Sequence, residues 1–140
     1  MCGGHEEVKE FMNSLLEISK EDLTDSQLEY ELFNEMDIFE RPVVCASCNT
    51  MISDVKFLLS LEGRSLHHFI NPSGLRFSFY TFYYTKNTFE YGEPTEEHTW
   101  FSGYRWSFLL CEVCQSHLGW YYRNSDDSFF GLVDEKIKFT

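Results

Sequence analysis

Two C-x-x-C pairs constrain the fold of this chain more than any other feature. Cys45 and Cys48 form the first pair, and Cys111 and Cys114 form the second. Each pair places two thiolates on a tight turn, which supplies half of a tetrahedral zinc site, and two pairs give a closed structural site without an open coordination position. The 62 residues between the pairs exceed the roughly 15–20 of an ordinary zinc ribbon. The metal is therefore expected to join elements that are distant in sequence.

Four buried free cysteines with some disulfide exchange are the alternative to a metal site. The N-terminus, MCGGHEEVKEF, lacks the basic start and the apolar stretch of a secretory signal. The sequence contains no run of about eighteen apolar residues, so no membrane span is expected. We therefore expect a cytoplasmic or nuclear location, where C-x-x-C pairs more often hold metal than form disulfides. One structural zinc ion is the predicted cofactor.

The chain from Val43 onward has the composition of an antiparallel β domain. Aromatic residues make up 18% of the sequence, and they favour pleated, half-buried surfaces. Short aromatic and β-branched runs predict strands, namely DVKFLLSL (54–61), LRFSFYTFYYT (75–85), YRWSFLLC (104–111), GWYY (119–122) and FFGLV (129–133). The turn signals EGRS, NPSG, YGEP, SGY and NSDDS separate these runs. Residues 43–140 are therefore predicted to form one domain.

Residues 1–42 are predicted to form a separate acidic helical segment. Apolar residues recur at helical spacing over residues 5–20, and Thr24 with Gln27 fits a capping box that opens a second helix. Residues 1–40 carry twelve acidic residues against two lysines, so most of the formal net charge of −12 belongs to this segment. Such a charge repels phosphate backbones and anionic lipid surfaces, so neither nucleic acid nor a membrane is an expected partner.

Three tryptophans lie near the second cysteine pair and raise the question of a binding site. Trp100 and Trp106 flank a turn at Gly103 in HTWFSGYRW (98–106), and Trp120 follows six residues after the second pair. A buried tryptophan packs its apolar body and seeks a partner for its N–H. From the residues alone, the three side chains either fill a core or wall a cavity.

Five motifs in order resemble the CULT domain family, which comprises the thalidomide-binding domain of cereblon and its stand-alone relatives. They are CASC, NPSG, EPTEEHTWFSGYRW, CEVCQSHLGW and FFGL, and they extend over about residues 43–133. The resemblance implies a mainly β fold, the β-tent, in which two antiparallel sheets are pinned together by the four-cysteine zinc site. The first 40 residues are not covered.

The resemblance also implies a ligand cage between the two sheets. Trp100, Trp106 and Trp120 would wall this cage, which in the family holds a cyclic imide such as the glutarimide ring of thalidomide-type drugs. Protein C-termini cyclised to an imide, and some nucleoside-like ligands, are also bound in the family. The implied partner of this chain is therefore a small cyclic imide or an imide-terminated peptide.

Individual roles in the cage follow from the same resemblance. The backbone carbonyl of His98 would accept a hydrogen bond from the imide N–H, and the His98 ring would reach one imide carbonyl. The backbone N–H of Trp100 would donate to the other carbonyl. Asn71 would lie at the mouth of the cage, and Tyr122 would close it behind Trp120.

Two residues depart from the family pattern. Cereblon has proline at the position of Ser102 and alanine at the position of Arg105. Ser102 should soften the turn, and Arg105 should point away from Trp106 because side chains alternate along a strand. In cereblon, a Lon-like domain precedes this one and connects it to a ubiquitin ligase. No such domain fits into the first 40 residues, so a ubiquitin-ligase role is not expected from this chain.

Three other functions compete with imide binding. The B-type methionine sulfoxide reductases resemble this β-tent but need a nucleophilic cysteine, and only Cys2 remains once the zinc ligands are assigned, so we expect no enzyme. Three aromatic rings also suit a reader of methylated ammonium groups, and Glu96 and Glu97 beside Trp100 would favour a cation. The third alternative is a zinc-pinned structural interaction module whose tryptophans are core residues.

Overall fold

The computed structural model describes residues 38–140. The two helices predicted within the acidic N-terminal segment lie outside the described residues, and the boundary between residues 42 and 43 stays a prediction. Within residues 38–140, no helix is long and apolar enough to cross a membrane.

The described residues form nine strands in two antiparallel sheets, which confirms the predicted fold class. The strands are β1 (Pro42–Cys45), β2 (Met51–Asp54), β3 (Leu66–Ile70), β4 (Arg76–Phe82), β5 (Thr88–Thr95), β6 (Arg105–Cys111), β7 (His117–Arg123), β8 (Ser128–Val133) and β9 (Ile137–Phe139). The small sheet has the order β2-β1-β9, and the large sheet has the order β3-β4-β8-β7-β6-β5. Two short 3-10 helices, Val55–Phe57 and Asp134–Lys136, connect strands of one sheet to strands or loops of the other.

One face of the large sheet packs against the small sheet and forms the first core. The small sheet contributes the buried side chains of Val43, Cys45, Ile52 and Ile137. The large sheet contributes Phe82, Leu109, Cys111, Leu118 and Leu132. The first cysteine of each C-x-x-C pair is therefore a buried member of the core that joins the two sheets.

The opposite face of the large sheet lies under two connecting segments, residues 58–64 and 96–104. These segments contribute Leu59, Leu61, Phe101 and Tyr104 to a second core. The sheet contributes Phe79, Trp120, Tyr122, Phe129 and Val133. Because successive side chains of a strand point to opposite faces, neighbours such as Phe108 and Leu109 on β6 belong to different faces.

The prediction of a strand over residues 54–61 was wrong. β2 ends at Asp54, and Val55–Phe57 form a 3-10 helix. The Asp54 carboxylate is buried and accepts hydrogen bonds from the backbone N–H groups of Lys56 and Arg41, at 3.0 and 2.8 Å. By accepting from Lys56, this side chain acts as the N-cap of the helix, and its second hydrogen bond ties the end of β2 to Arg41.

The prediction of a turn at YGEP was also wrong, because residues 91–94 lie within β5. Tyr91 is paired with Phe108 and Thr95 with Trp106, so extra residues of β5 are accommodated in a bulge. Gly92 provides the left-handed backbone conformation of this bulge, with φ of +87°. β5 is an edge strand of the large sheet, where a proline is tolerated because its missing N–H faces outward.

Two glycines allow β7 and β8 to approach each other closely. A Cβ atom on Gly119 would lie 1.8 Å from the carbonyl oxygen of Gly131, a backbone atom that cannot move without breaking the pairing. A Cβ atom on Gly131 would lie 2.9 Å from the ring of Phe79, which is a side chain. The close pairing of β8 with β7, the strand that carries Trp120 and Tyr122, therefore depends on Gly119.

We predict that Gly119→Ala destabilises the zinc-loaded protein by about 3 kcal/mol or more, because overpacking against backbone cannot relax. Gly131→Ala should cost roughly 1–2 kcal/mol, since the Phe79 ring can shift. Ser125→Ala, at an exposed turn position, serves as the control and should change stability by less than about 0.5 kcal/mol. Denaturant-induced unfolding measures all three. Equal losses for the two glycine variants would contradict this account of the β7–β8 contact.

Candidate functional site

The two C-x-x-C turns are built alike. In the first, the N–H of Cys45 donates to the carbonyl of Thr50 at 2.9 Å, and the N–H of Asn49 donates to the carbonyl of Cys45 at 2.8 Å. In the second, the equivalent bonds run from Cys111 to Ser116 at 2.9 Å and from Gln115 to Cys111 at 2.8 Å. Asn49 and Gln115 both have a positive φ, of 63° and 62°. Each turn thus closes on a left-handed residue directly after its second cysteine.

The four sulfur atoms have the separations of a tetrahedral metal site. The Sγ atoms of Cys45 and Cys114 lie 3.6 Å apart, as do those of Cys48 and Cys111. All four lie within 4.8 Å of one another. Tetrahedral zinc with Zn–S bonds of about 2.3 Å needs S···S separations of about 3.8 Å. The residues therefore fit a single ion that bridges β1 of the small sheet and β6 of the large sheet.

The thiols differ in how readily they ionise. A hydrogen bond from the hydroxyl of Thr50, 3.0 Å from the Cys48 sulfur, is the main cause that lowers the pKa of Cys48 to about 6. At Cys114 the backbone of Ser116 favours the thiolate, but desolvation and the other three cysteines outweigh it and raise the pKa of Cys114 to about 12. Four thiolates at this distance repel one another, so a cation is required for all four to be ionised together.

A cavity of about 330 Å³ opens at the second-core face of the large sheet. All six side chains predicted for the ligand site line it: Asn71, His98, Trp100, Trp106, Trp120 and Tyr122. Four further residues also line it, and the sequence reasoning missed them: Pro72, Phe77, Phe108 and His117. The structure thus brings together residues from the β3–β4 turn, the 96–104 segment and strands β4, β6 and β7.

Trp100 is held in a stack of aromatic rings. It lies parallel to Phe69, with centroids 5.2 Å apart and an interplanar angle of 8°, and nearly parallel to Phe79 at 5.6 Å and 15°. It meets Trp120 edge-on at 5.0 Å and 82°. Offset stacks and edge contacts of this kind each add roughly 0.5–1.5 kcal/mol to area burial. Trp100 and Trp120 are therefore fixed walls.

Trp106 is attached to the opposite side of the cavity. Its indole Nε1–H donates to the backbone carbonyl of Glu97 at 2.8 Å, and its ring meets Phe108 edge-on at 5.3 Å. Because the indole N–H is already used, Trp106 offers only its ring to the cavity. The hydrogen bond also ties the 96–104 segment to β6.

The backbone at His98 has an uncommon conformation. His98 has φ of +57°, and a non-glycine residue in this region costs of order 1–3 kcal/mol and is found mainly where the surrounding structure enforces it. Within the described part of the chain, neither the carbonyl of His98 nor the N–H of Trp100 makes a hydrogen bond. The strained segment therefore leaves one backbone acceptor and one backbone donor available beside the cavity.

Two polar side chains reach the cavity from β7. His117 hydrogen-bonds through Nε2 to the carbonyl of Gly119 at 2.8 Å, and burial lowers the pKa of His117. Its ring is therefore neutral at neutral pH, with the proton on Nε2 and an acceptor at Nδ1. Burial raises the pKa of Tyr122, so its hydroxyl is a neutral group. A histidine three residues after the second C-x-x-C pair was the signal in the sequence that could have identified His117.

Asn71 stabilises the turn at the mouth of the cavity. Its side-chain Oδ1 accepts a hydrogen bond from the N–H of Leu75 at 2.9 Å, and its backbone N–H donates to the carbonyl of the same residue at 2.8 Å. Ser102 and Arg105, which depart from the family pattern, are both exposed and do not line the cavity. They leave its walls unchanged.

Comparison with known proteins identifies relatives of the described domain. A profile of the family described as Yippee zinc-binding/DNA-binding/Mis18, centromere assembly, matches residues 42–137. Cereblon from Danio rerio is 36% identical over 91 residues, which cover 61% of this chain and 21% of that protein. Cereblon from Gallus gallus is 32% identical over 109 residues, which cover 71% of this chain and 24% of that protein. Cereblon from Xenopus tropicalis is 33% identical over 114 residues, which cover 74% of this chain and 25% of that protein.

The chain therefore spans about a quarter or less of the length of these relatives. The zinc-binding description of the family agrees with the sulfur geometry, so the four cysteines form the site of one structural zinc ion. A match over residues 42–137 covers more than half of the chain. The chain belongs to the Yippee-Mis18 family and is a cereblon-like, zinc-pinned member of it.

Proposed function

We propose that this chain is a binding module that captures cyclic imides between its three tryptophans. The observation that carries the proposal is an aromatic cavity of about 330 Å³ beside an unpaired backbone acceptor and donor, on His98 and Trp100. This volume lies at the small end of the range of about 300–1,000 Å³ for ligand pockets. The ordered motifs of the CULT family and the similarity to cereblon support the same ligand class.

The chemistry of an imide is complementary to these groups. A cyclic imide presents one N–H between two carbonyl oxygens. The carbonyl of His98 would accept from the imide N–H, while the N–H of Trp100 and the ring of His98 would donate to the two oxygens. A group left unpaired after burial costs roughly 1–3 kcal/mol. The site should therefore prefer an imide to a lactam, which lacks one carbonyl.

A reader of methylated ammonium groups is the second candidate, and one observation favours it. Glu97 lies at the rim, with its carboxylate 3.6 Å from the ring of His98. However, the Glu97 side chain is 77% exposed and does not line the cavity. A cation in the cavity would therefore lack a close counter-charge, and the neutral imide is the better fit.

The proposal assigns no catalysis to the domain. Four thiolates complete the coordination of zinc, so the ion supplies structural cross-linking and offers no open position for a reactant. We also propose no nucleic-acid partner, although the family description includes DNA binding, because the net charge of −12 repels phosphate. A role in ubiquitin ligation is not proposed, and the cytoplasmic or nuclear location stays a prediction.

We predict saturable binding of glutarimide by the zinc-loaded protein in calorimetric titration. The corresponding single-carbonyl lactam should bind roughly 5–150-fold more weakly, which corresponds to the cost of one unpaired group. Trp106→Ala should weaken imide binding at least about tenfold through loss of a cavity wall. Phe139→Ala, which removes a partly exposed ring from the small sheet, is the matched control and should bind as the wild type does.

Absence of imide binding by a well-folded protein would refute the proposal. Binding of tetramethylammonium in its place would favour the reader of methylated ammonium groups. If neither compound binds, the three tryptophans are core residues of a structural module.

We predict that the metal stabilises the domain without contacting the ligand. Removal of zinc with a chelator should unfold residues 38–140 and abolish imide binding, and added zinc should restore both. In protein loaded with Co2+, whose visible absorption reports tetrahedral thiolate coordination, saturating glutarimide should leave the spectrum unchanged. A spectral change that Trp106→Ala abolishes would contradict a purely structural metal.

A further inference from the structure

Three exposed aromatic residues continue from the cavity across the edge of the large sheet. Phe108, Tyr91 and Phe89 are 39%, 61% and 37% exposed, and we name them the aromatic strip. Tyr91 is the direct partner of Phe108 across β5 and β6, and Phe89 lies two residues from Tyr91 on β5. Paired residues and alternate residues share a face, so all three project from the face that carries the cavity.

The aromatic strip and the cavity are continuous. Phe108 lines the cavity and contacts the ring of Trp106, and it also pairs with Tyr91 at the sheet edge. A cross-strand step spans about 5 Å and a two-residue step along a strand about 7 Å. These two steps are perpendicular, so the strip extends about 8–9 Å beyond the cavity wall, which matches two to three residues of extended polypeptide.

Three acidic residues that follow Tyr91 in the chain bear on the charge of the occupant. Glu93, Glu96 and Glu97 are exposed on β5 and the segment after it. Among the described residues, Glu97 forms an ion pair with His98, and no ion pair involves Glu93 or Glu96. An occupant with positive charge is therefore favoured over one with negative charge. Exposed aromatic patches on soluble proteins commonly mark interaction sites.

We propose that the aromatic strip binds the residues that precede a C-terminal cyclic imide in a polypeptide. This inference rests on the proposed function of the cavity, and it makes the ligand a protein chain in preference to a free small imide. Apolar side chains at the positions just before the imide would cover Tyr91 and Phe89. A lysine or arginine nearby would meet the carboxylates of Glu93 and Glu96.

The opposite rim of the cavity provides a matched control. Ile70 and Leu75 flank the β3–β4 turn and are 57% and 60% exposed, so they present a comparable apolar surface. They are aliphatic, and they lie beside Asn71 on the other side of the mouth. A ligand chain that left the cavity in this direction would contact them and avoid the strip.

Four probes test the proposal by calorimetric titration. The minimal probe is an N-acetylated aminoglutarimide. The other three are N-acetylated peptides of equal length that end in the same glutarimide. Before the glutarimide, the first carries phenylalanine and lysine, the second carries phenylalanine and glutamate, and the third carries only serine. The proteins are the wild type, the strip variant Phe89→Ser with Tyr91→Ser, and the control variant Ile70→Ser with Leu75→Ser.

The minimal probe should bind all three proteins equally. The phenylalanine–lysine peptide should bind the wild type at least tenfold more tightly than the minimal probe. The phenylalanine–glutamate peptide should bind less tightly than the phenylalanine–lysine peptide, and the serine peptide should bind least tightly of the three. The strip variant should lose this gain, and the control variant should keep it. Equal affinity of peptides and minimal probe, or loss of the gain in the control variant, overturns the inference and leaves imide binding intact. Failure of the minimal probe to bind the wild type overturns the proposed function and this inference together.

Discussion

The bridge between the two sheets through one four-cysteine zinc site is the interaction on which the rest of the structure depends. Cys45 ends a strand of the small sheet, and Cys111 ends a strand of the large sheet. Both side chains are buried in the core between the sheets. The small sheet has three short strands, which would be marginal without a cross-link. Zinc thus fixes the position of β6, and β6 carries Trp106 and Phe108.

The cavity depends on aromatic packing that is separate from the metal. Trp100 is stacked on Phe69 and Phe79, and these rings lie on β3 and β4, at the far side of the large sheet from β5 and β6. Trp106 is held from β6 by the carbonyl of Glu97. The two sides of the cavity are therefore positioned by different strands, and Gly119 allows the intervening β7 and β8 to pack closely enough to keep them in register.

The sequence predicted the fold class and the metal ligands because paired cysteines and aromatic strands leave a strong local signal. It did not predict β3, since LHHFI contains two histidines in a five-residue run, and it assigned a turn inside β5 because Gly92 and Pro94 are turn residues elsewhere. Phe108 at the cavity was missed for a different reason. Its role follows from the face it occupies beside Trp106, and that face is fixed only by the pairing of β6 with its neighbours.

The separation of the two cysteine turns also has a consequence for synthesis on the ribosome. The paired sulfurs are 69 and 63 residues apart in the chain. At roughly 5–20 residues per second, the first turn waits several seconds for its partner. During that interval two thiols, the β1 edge and half of the core are exposed together. Metal capture by all four cysteines can therefore begin only once Cys114 has been made, and at that point β7, β8 and β9 are still to be synthesised.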